Sequence, residues 1–133
     1  METYLAIINV KAEFEEKDGQ PGYHVIYPDN HEGWIPLDLF EKQAFRLREP
    51  DRITSDDVNR FIKNVRSEQI DERTTLTKLT TVTDVIDYKT STCVNPENYS
   101  TSIGEHQNFT RLQDGIFEFL GKALKWGLNG ILK

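Results

Sequence analysis

The side chains in this 133-residue chain best suited to proton transfer or nucleophilic attack are His24, His31, His106 and the single cysteine, Cys93. His24 and His31 flank Pro28-Asp29-Asn30, so a hairpin turning there would set the two imidazoles on opposite arms, where a pair could hold a metal or titrate near neutrality. No carboxylate stands at a recognisable ligand spacing from them, and two exposed strand histidines are the simpler expectation. Cys93 and His106 could act as nucleophile and base. The sequence supplies no basic or helix-N-terminal surroundings for the thiol, so a small strand-end cysteine is expected instead. There is no P-loop, dinucleotide-binding glycine fingerprint, nucleophile elbow or zinc-protease motif. The expectation is a chain with no catalytic residues, no metal and no cofactor.

Binding chemistry is better represented. Tyr23, Tyr27, Trp34 and Tyr99 offer aromatic faces on which a base can stack. Arg46, Arg48 and Arg60 can pair with phosphate, and Asn95 and Asn98 can read a base or ribose edge. The three arginines belong to a stretch from Lys42 to Arg66 that holds seven cationic and four acidic residues, in a chain of net charge −6. That overall charge argues against sequence-independent binding to DNA, whereas the local excess suits a small anion or an acidic protein surface. A solvated helix face and linker would account for the same charges.

The elements that must position these residues follow from periodicity. Residues 4–14 alternate apolar and polar and predict a half-buried strand. Glu-Glu-Lys-Asp-Gly-Gln-Pro-Gly then marks a turn. The segment 23–36 predicts a hairpin turning at Pro28-Asp29-Asn30, with Trp34 against the sheet. Pro36 opens a short helix that places Leu37 and Phe40 together. Polar residues around Pro50 predict a linker over 49–54, dividing a β-rich module (1–48) from a helix-hairpin-helix module (55–133). Thr54, Ser55, Asp56 and Asp57 begin a helix along which Val58, Phe61, Ile62 and Val65 recur at helical spacing. Residues 74–94 are rich in Thr, Val, Ile and Tyr and predict two strands turning at Thr83-Asp84. Pro96 cannot donate a ladder hydrogen bond and restricts Asn95, so the second strand must stop there. Asn95 and Asn98 can bond locally to the backbone, and Ser100 or Ser102 can begin the turn into the final helix, near Glu105. The fold class is α+β: a small N-terminal antiparallel sheet with a short helix, then a helix, a β-hairpin and a long amphipathic C-terminal helix.

In that last helix the polar residues Glu118, Lys122, Lys125, Asn129 and Lys133 form a narrow stripe, so most of its girth is expected to be buried. Phe119, Leu120, Leu124, Trp126, Leu128 and Ile131 are the expected contacts of a homo-oligomer. The four glycines Gly115, Gly121, Gly127 and Gly130 weaken the helix on its own by about 1 kcal/mol each relative to alanine, so packing has to sustain it. No segment is long and apolar enough for a membrane span, and the lone cysteine suits a reducing compartment.

Two stretches resemble phage proteins. Ser91, Cys93, Val94, Pro96, Asn98, Tyr99, Ile103 and Gly104 match the turn of a family of small early proteins of tailed phages, which carry a β-hairpin, a Ser-x-Cys-Val-x-Pro-x-Asn-aromatic turn, an Ile-Gly pair and a final helix. The likeness spans roughly residues 56–125. It departs from the pattern at Thr83-Asp84, where the family usually has Asn-Gly, and in lacking a Trp-x-Leu-x-Gly-Tyr run. Gly22, Tyr23, Val25, Tyr27, Pro28, Asp29, Trp34, Pro36 and Phe40 are similar to a second phage module, with Asn30 in place of its turn glycine and Gly33 in place of a serine. That module often precedes small domains, some similar to anti-defence proteins that sequester nucleotide signals of bacterial immunity.

The resemblance implies a phage or prophage origin and a place in the cytoplasm of an infected bacterial host cell. Together with the stacking and cationic side chains, it leads to the expectation of a non-enzymatic sponge that captures a host nucleotide second messenger. The alternative is an interaction module that inhibits a host protein. Neither reading involves DNA or a membrane.

Overall fold

The computed structural model describes the backbone of residues 1–132 and the side chains of residues 1–129. The fold is α+β, with two separate three-stranded antiparallel sheets and a long C-terminal helix. The chain divides into two compact units, residues 1–52 with 121–133, and residues 53–120. One division falls inside the expected linker. The other falls inside the last helix.

The first unit is a meander of β1 (Lys11–Phe14), β2 (Gly22–Ile26) and β3 (Glu32–Pro36), followed by α1 (Leu37–Gln43). Asp18 and Gly19 take positive φ in the β1–β2 turn, and Asn30 (φ 70°) does so in the β2–β3 turn, where its N–H donates to Tyr27 O at 2.9 Å. Short polar side chains and glycine tolerate that backbone region. Val25 is fully buried. Gly22 sits where a Cβ would strike the Trp34 ring, so the indole lies flat across the strand, and its Nε1–H donates to Glu15 O at 2.9 Å. The expected strand over 4–14 shrinks to β1, because β2 ends at Ile26, the partner of Lys11, and offers nothing to residues before it.

The second unit begins with α2 (Ser55–Phe61), held by a capping box: Thr54 N–H donates to Asp57 Oδ2 at 2.8 Å and Asp57 N–H donates back to Thr54 Oγ1 at 3.3 Å. The helix is shorter than expected. Ile62 and Val65 belong to β4 (Ile62–Asp71), which pairs with β5 (Thr74–Thr81), and β5 pairs with β6 (Ile86–Thr92). The hairpin expected from the sequence is therefore the last two strands of a meander. The central strand needs hydrogen-bonding neighbours along both of its edges, and that demand overrides the helical spacing of four apolar residues. Asp84 (φ 63°) makes the β5–β6 turn at the expected place. A 3₁₀ turn at Pro96–Asn98 leads into α3 (Thr101–Leu132), which starts four residues earlier than expected.

Within this unit Gly104, Asn108, Leu112 and Ile116 form a buried stripe along one face of α3. They meet a β5 face made of Thr75, Thr77, Leu79 and Thr81, all buried. Beyond Gly121, in the first unit, Leu124 and Gly127 are buried, and Gly127 lies tight against Asn9. The expectation of a helix buried on most of its girth is corrected. Phe117, Phe119 and Trp126 remain about half exposed, because the chain covers one stripe only. Leu79 anchors the sheet face of the second unit, so Leu79→Ala is expected to cost about 2–5 kcal/mol of unfolding free energy, read as a lower urea midpoint without loss of cooperativity.

Candidate functional site

The buried face of β5 carries three threonines beside Leu79, and Asn108, fully buried, bonds this polar surface. Its Nδ2 donates to Thr75 O and to Thr77 Oγ1, both at 3.0 Å. Its Oδ1 accepts from Ser91 Oγ at 2.6 Å and from Arg111 Nη2 at 2.8 Å. Thr77 shares a further hydroxyl bond of 2.8 Å with Ser67 on β4, so one amide links α3 to the whole sheet. Gly104 permits this approach, since a Cβ there would run into the Thr75 side chain. Tyr99 closes the end of the seam through a 2.7 Å bond between its hydroxyl and Thr75 Oγ1.

Outside the seam lies an open groove of about 600 Å³ between the edge of β6 and α3, lined by Thr90, Ser91, Thr92, His106, Gln107, Thr110 and Arg111. It adjoins a smaller recess of about 110 Å³ whose walls include Arg73, Cys93, Asn98, Tyr99 and Ile103. Arg111 is the pivotal side chain. Its Nη2 donates to Thr90 O, to Ser91 Oγ and to Asn108 Oδ1, while Nε and Nη1 have no partner among the described residues. The guanidinium is thus held in place with donors to spare, the condition under which arginine captures a phosphate or carboxylate with little loss of side-chain freedom.

The residues singled out from the sequence separate into the two units. In the first, Tyr23 stacks on Phe40 with ring centroids 4.4 Å apart, Tyr27 stacks on His31 at 4.3 Å, and Trp34 bonds Glu15, so each of these rings is engaged by a different neighbour. Arg46 and Arg48 follow α1 and already interact with other groups. In the second, Arg60 pairs with Asp56 at 2.9 Å and with the buried Asp57 at 2.7 Å. Asn95 caps the 3₁₀ turn by accepting from Glu97 N–H at 3.0 Å, and Asn98 and Tyr99 line the smaller recess. Of the expected oligomer contacts, Leu120 and Leu124 are buried within the chain, Leu128 is partly covered, and Ile131 lies outside the residues whose side chains are described. Arg111, Gln107, Thr110 and Arg73 were not anticipated. The available signal was Asn108 and Arg111, three apart on a helix, opposite a threonine-rich strand.

The histidines do not form a pair. His24 stands opposite Trp34 in the strand register and bonds Glu32 at 3.1 Å, whereas His31 sits in the turn against Asp29. The His31 ring and backbone N–H beside Asp29 hold its carboxyl below the usual aspartate range. Among the described residues no group of three or more His, Cys, Asp or Glu is placed to hold a metal, and no helix is long and apolar enough to cross a membrane. The Cys93 thiol donates to Asn95 O at 3.0 Å.

Two measurements check this description. Asn108→Ala removes the donors and acceptor that satisfy the seam, and is expected to cost about 2–4 kcal/mol in urea unfolding, more than Ser91→Ala, which deletes only the bonds to Asn108 and Arg111 at its rim. His31→Ala is expected to raise the Asp29 titration midpoint toward an ordinary aspartate value, followed by NMR.

No protein-family model, curated protein or solved structure matches this chain, so the site is argued from its own geometry.

Proposed function

We propose that this chain is a non-enzymatic binding protein that captures a small anionic ligand, a nucleotide second messenger of a bacterial host, in the groove between β6 and α3. The observation that carries the reading is Arg111, pinned through one nitrogen at the groove while Nε and Nη1 have no partner among the described residues. The volume of the groove falls within the range of small-molecule sites. Arg111 would pair with phosphate, Gln107, Thr110 and the outward backbone of Thr90 and Thr92 would meet ribose or base edges, and Tyr99 and Arg73 stand in the adjoining recess. The host and the anti-defence role come from the resemblance of residues 22–40 and 90–104 to phage modules. In this reading the protein acts in the cytoplasm of the infected cell and depletes the signal by holding it.

A second reading, an interaction module that inhibits a host protein, is favoured by the exposed side chains of Tyr4 and Leu5 ahead of β1. Recovery of a stoichiometric partner from host lysate, lost on replacing both by serine, would support it.

Calorimetry with cyclic dinucleotides, cyclic trinucleotides and cyclic ADP-ribose isomers tests the leading reading. Binding heat is expected with one class, weakened about tenfold or more by Arg111→Lys, which keeps the charge and loses the fork. Absence of heat with every compound would overturn capture of a nucleotide signal.

A further inference from the structure

β6 is the edge of its sheet, and its ladder with β5 runs from Thr74↔Thr92 to Thr80↔Ile86 without a register shift. The Cys93 N–H bond to Arg73 O and the Thr81 N–H bond to Val85 O show that odd-numbered residues of this segment turn their backbone groups toward β5. The N–H and C=O groups of Ile86, Tyr88, Thr90 and Thr92 therefore face outward, as the Arg111 bond to Thr90 O also requires. Such an edge invites another strand. The opposite edge, β4, does not offer the same template, because it carries two register shifts, between Ile62 and Asn64 and between Gln69 and Asp71.

From this edge we infer that two copies of the chain associate through β6, antiparallel about a two-fold axis at Tyr88. Charge selects the register. An axis at Asp87 or at Lys89 would set like charges directly opposite one another, and an axis at Thr90 would set Lys89 against Ser91. With the axis at Tyr88, Asp87 of each copy faces Lys89 of the other, Tyr88 faces itself, and Ile86 faces Thr90. Asp87 and Lys89 are exposed and have no hydrogen-bond or ion-pair partner among the described residues. They fall in the non-hydrogen-bonded pairs of such a ladder, where side chains come closest. Tyr88 and Ile86 are about half exposed in the single chain, at 54% and 43%, and lie on the same face, so the pairing also covers apolar surface. An edge lysine ordinarily discourages strand addition. Here Lys89 discourages every register but the one that supplies it with Asp87. The inference does not rest on the ligand reading, although Ile86 of the other copy would lie opposite Thr90, at the rim of the groove, where Thr90 O also accepts from Arg111.

The test is the mass of the full chain in solution, by sedimentation, for the wild type, Lys89→Asp, the double variant Asp87→Lys with Lys89→Asp, and Tyr88→Pro. The wild type is expected to form dimers. Lys89→Asp should weaken them about tenfold or more, and the double variant should restore them to near the wild-type constant. Tyr88→Pro removes the outward N–H and the ring at the axis, spares the β5 ladder, and should give single chains with an unchanged far-ultraviolet circular dichroism spectrum. A wild type that stays a single chain at about 1 mM, dimers indifferent to Lys89→Asp, or a double variant that fails to recover would each overturn the proposal.

Discussion

A single buried amide governs the second unit. The inner face of β5 presents Thr75, Thr77 and Thr81 beside only one leucine, Leu79, so a purely aliphatic helix laid across it would take from Thr77 Oγ1 and Thr75 O the donors that Asn108 supplies. Asn108 supplies donors to both and accepts from Ser91 and Arg111 in return. Because an amide has directional demands that dispersion lacks, this contact sets the position of α3 along the sheet, and Gly104 one turn earlier allows the distance. Leu112 and Ile116 then contribute apolar burial along the same stripe.

The same contact shapes the groove. Arg111 reaches Thr90 and Ser91 because Asn108 and Ser91 already hold that turn of α3 against β6. Its guanidinium lies at the boundary between the buried seam and solvent, where a cation keeps part of its hydration while one nitrogen is fixed. By contrast Arg60, one of the three arginines expected to pair with phosphate, is engaged by Asp56 and Asp57 and forms part of the α2 cap region. Ligand capture and strand pairing both draw on β6 and meet at Thr90, which borders the groove and would face Ile86 of the other copy.

Much of the fold is legible from local chemistry. Asn30 and Asp84 occupy positive φ at the two turns that the sequence marks, because short polar side chains tolerate that conformation and the flanking residues favour strands. Thr54 with Asp57 announces the start of α2, and Pro96 with Asn95 announces the end of β6. β4 was not legible. Val58, Phe61, Ile62 and Val65 satisfy a helical period, and nothing within the segment reveals that its second half must serve the edge of β5. The candidate site was less legible still. Asn98 and Tyr99 border the recess, but Arg111, Gln107 and Thr110 acquire meaning only once β6 lies beside α3.

The sequence by itself determined the α+β class, the turns, the capped start of α2 and the amphipathic character of α3, since these depend on backbone preference and periodicity over a few residues. Tertiary structure decided where α2 yields to β4, which stripe of α3 is covered, and which arginine is fixed at the β6 edge. Those outcomes depend on pairing between residues far apart in the chain, such as Asn108 with Thr75 and Arg111 with Thr90. No local pattern encodes such pairings, because their free energy exists only when both partners are in place.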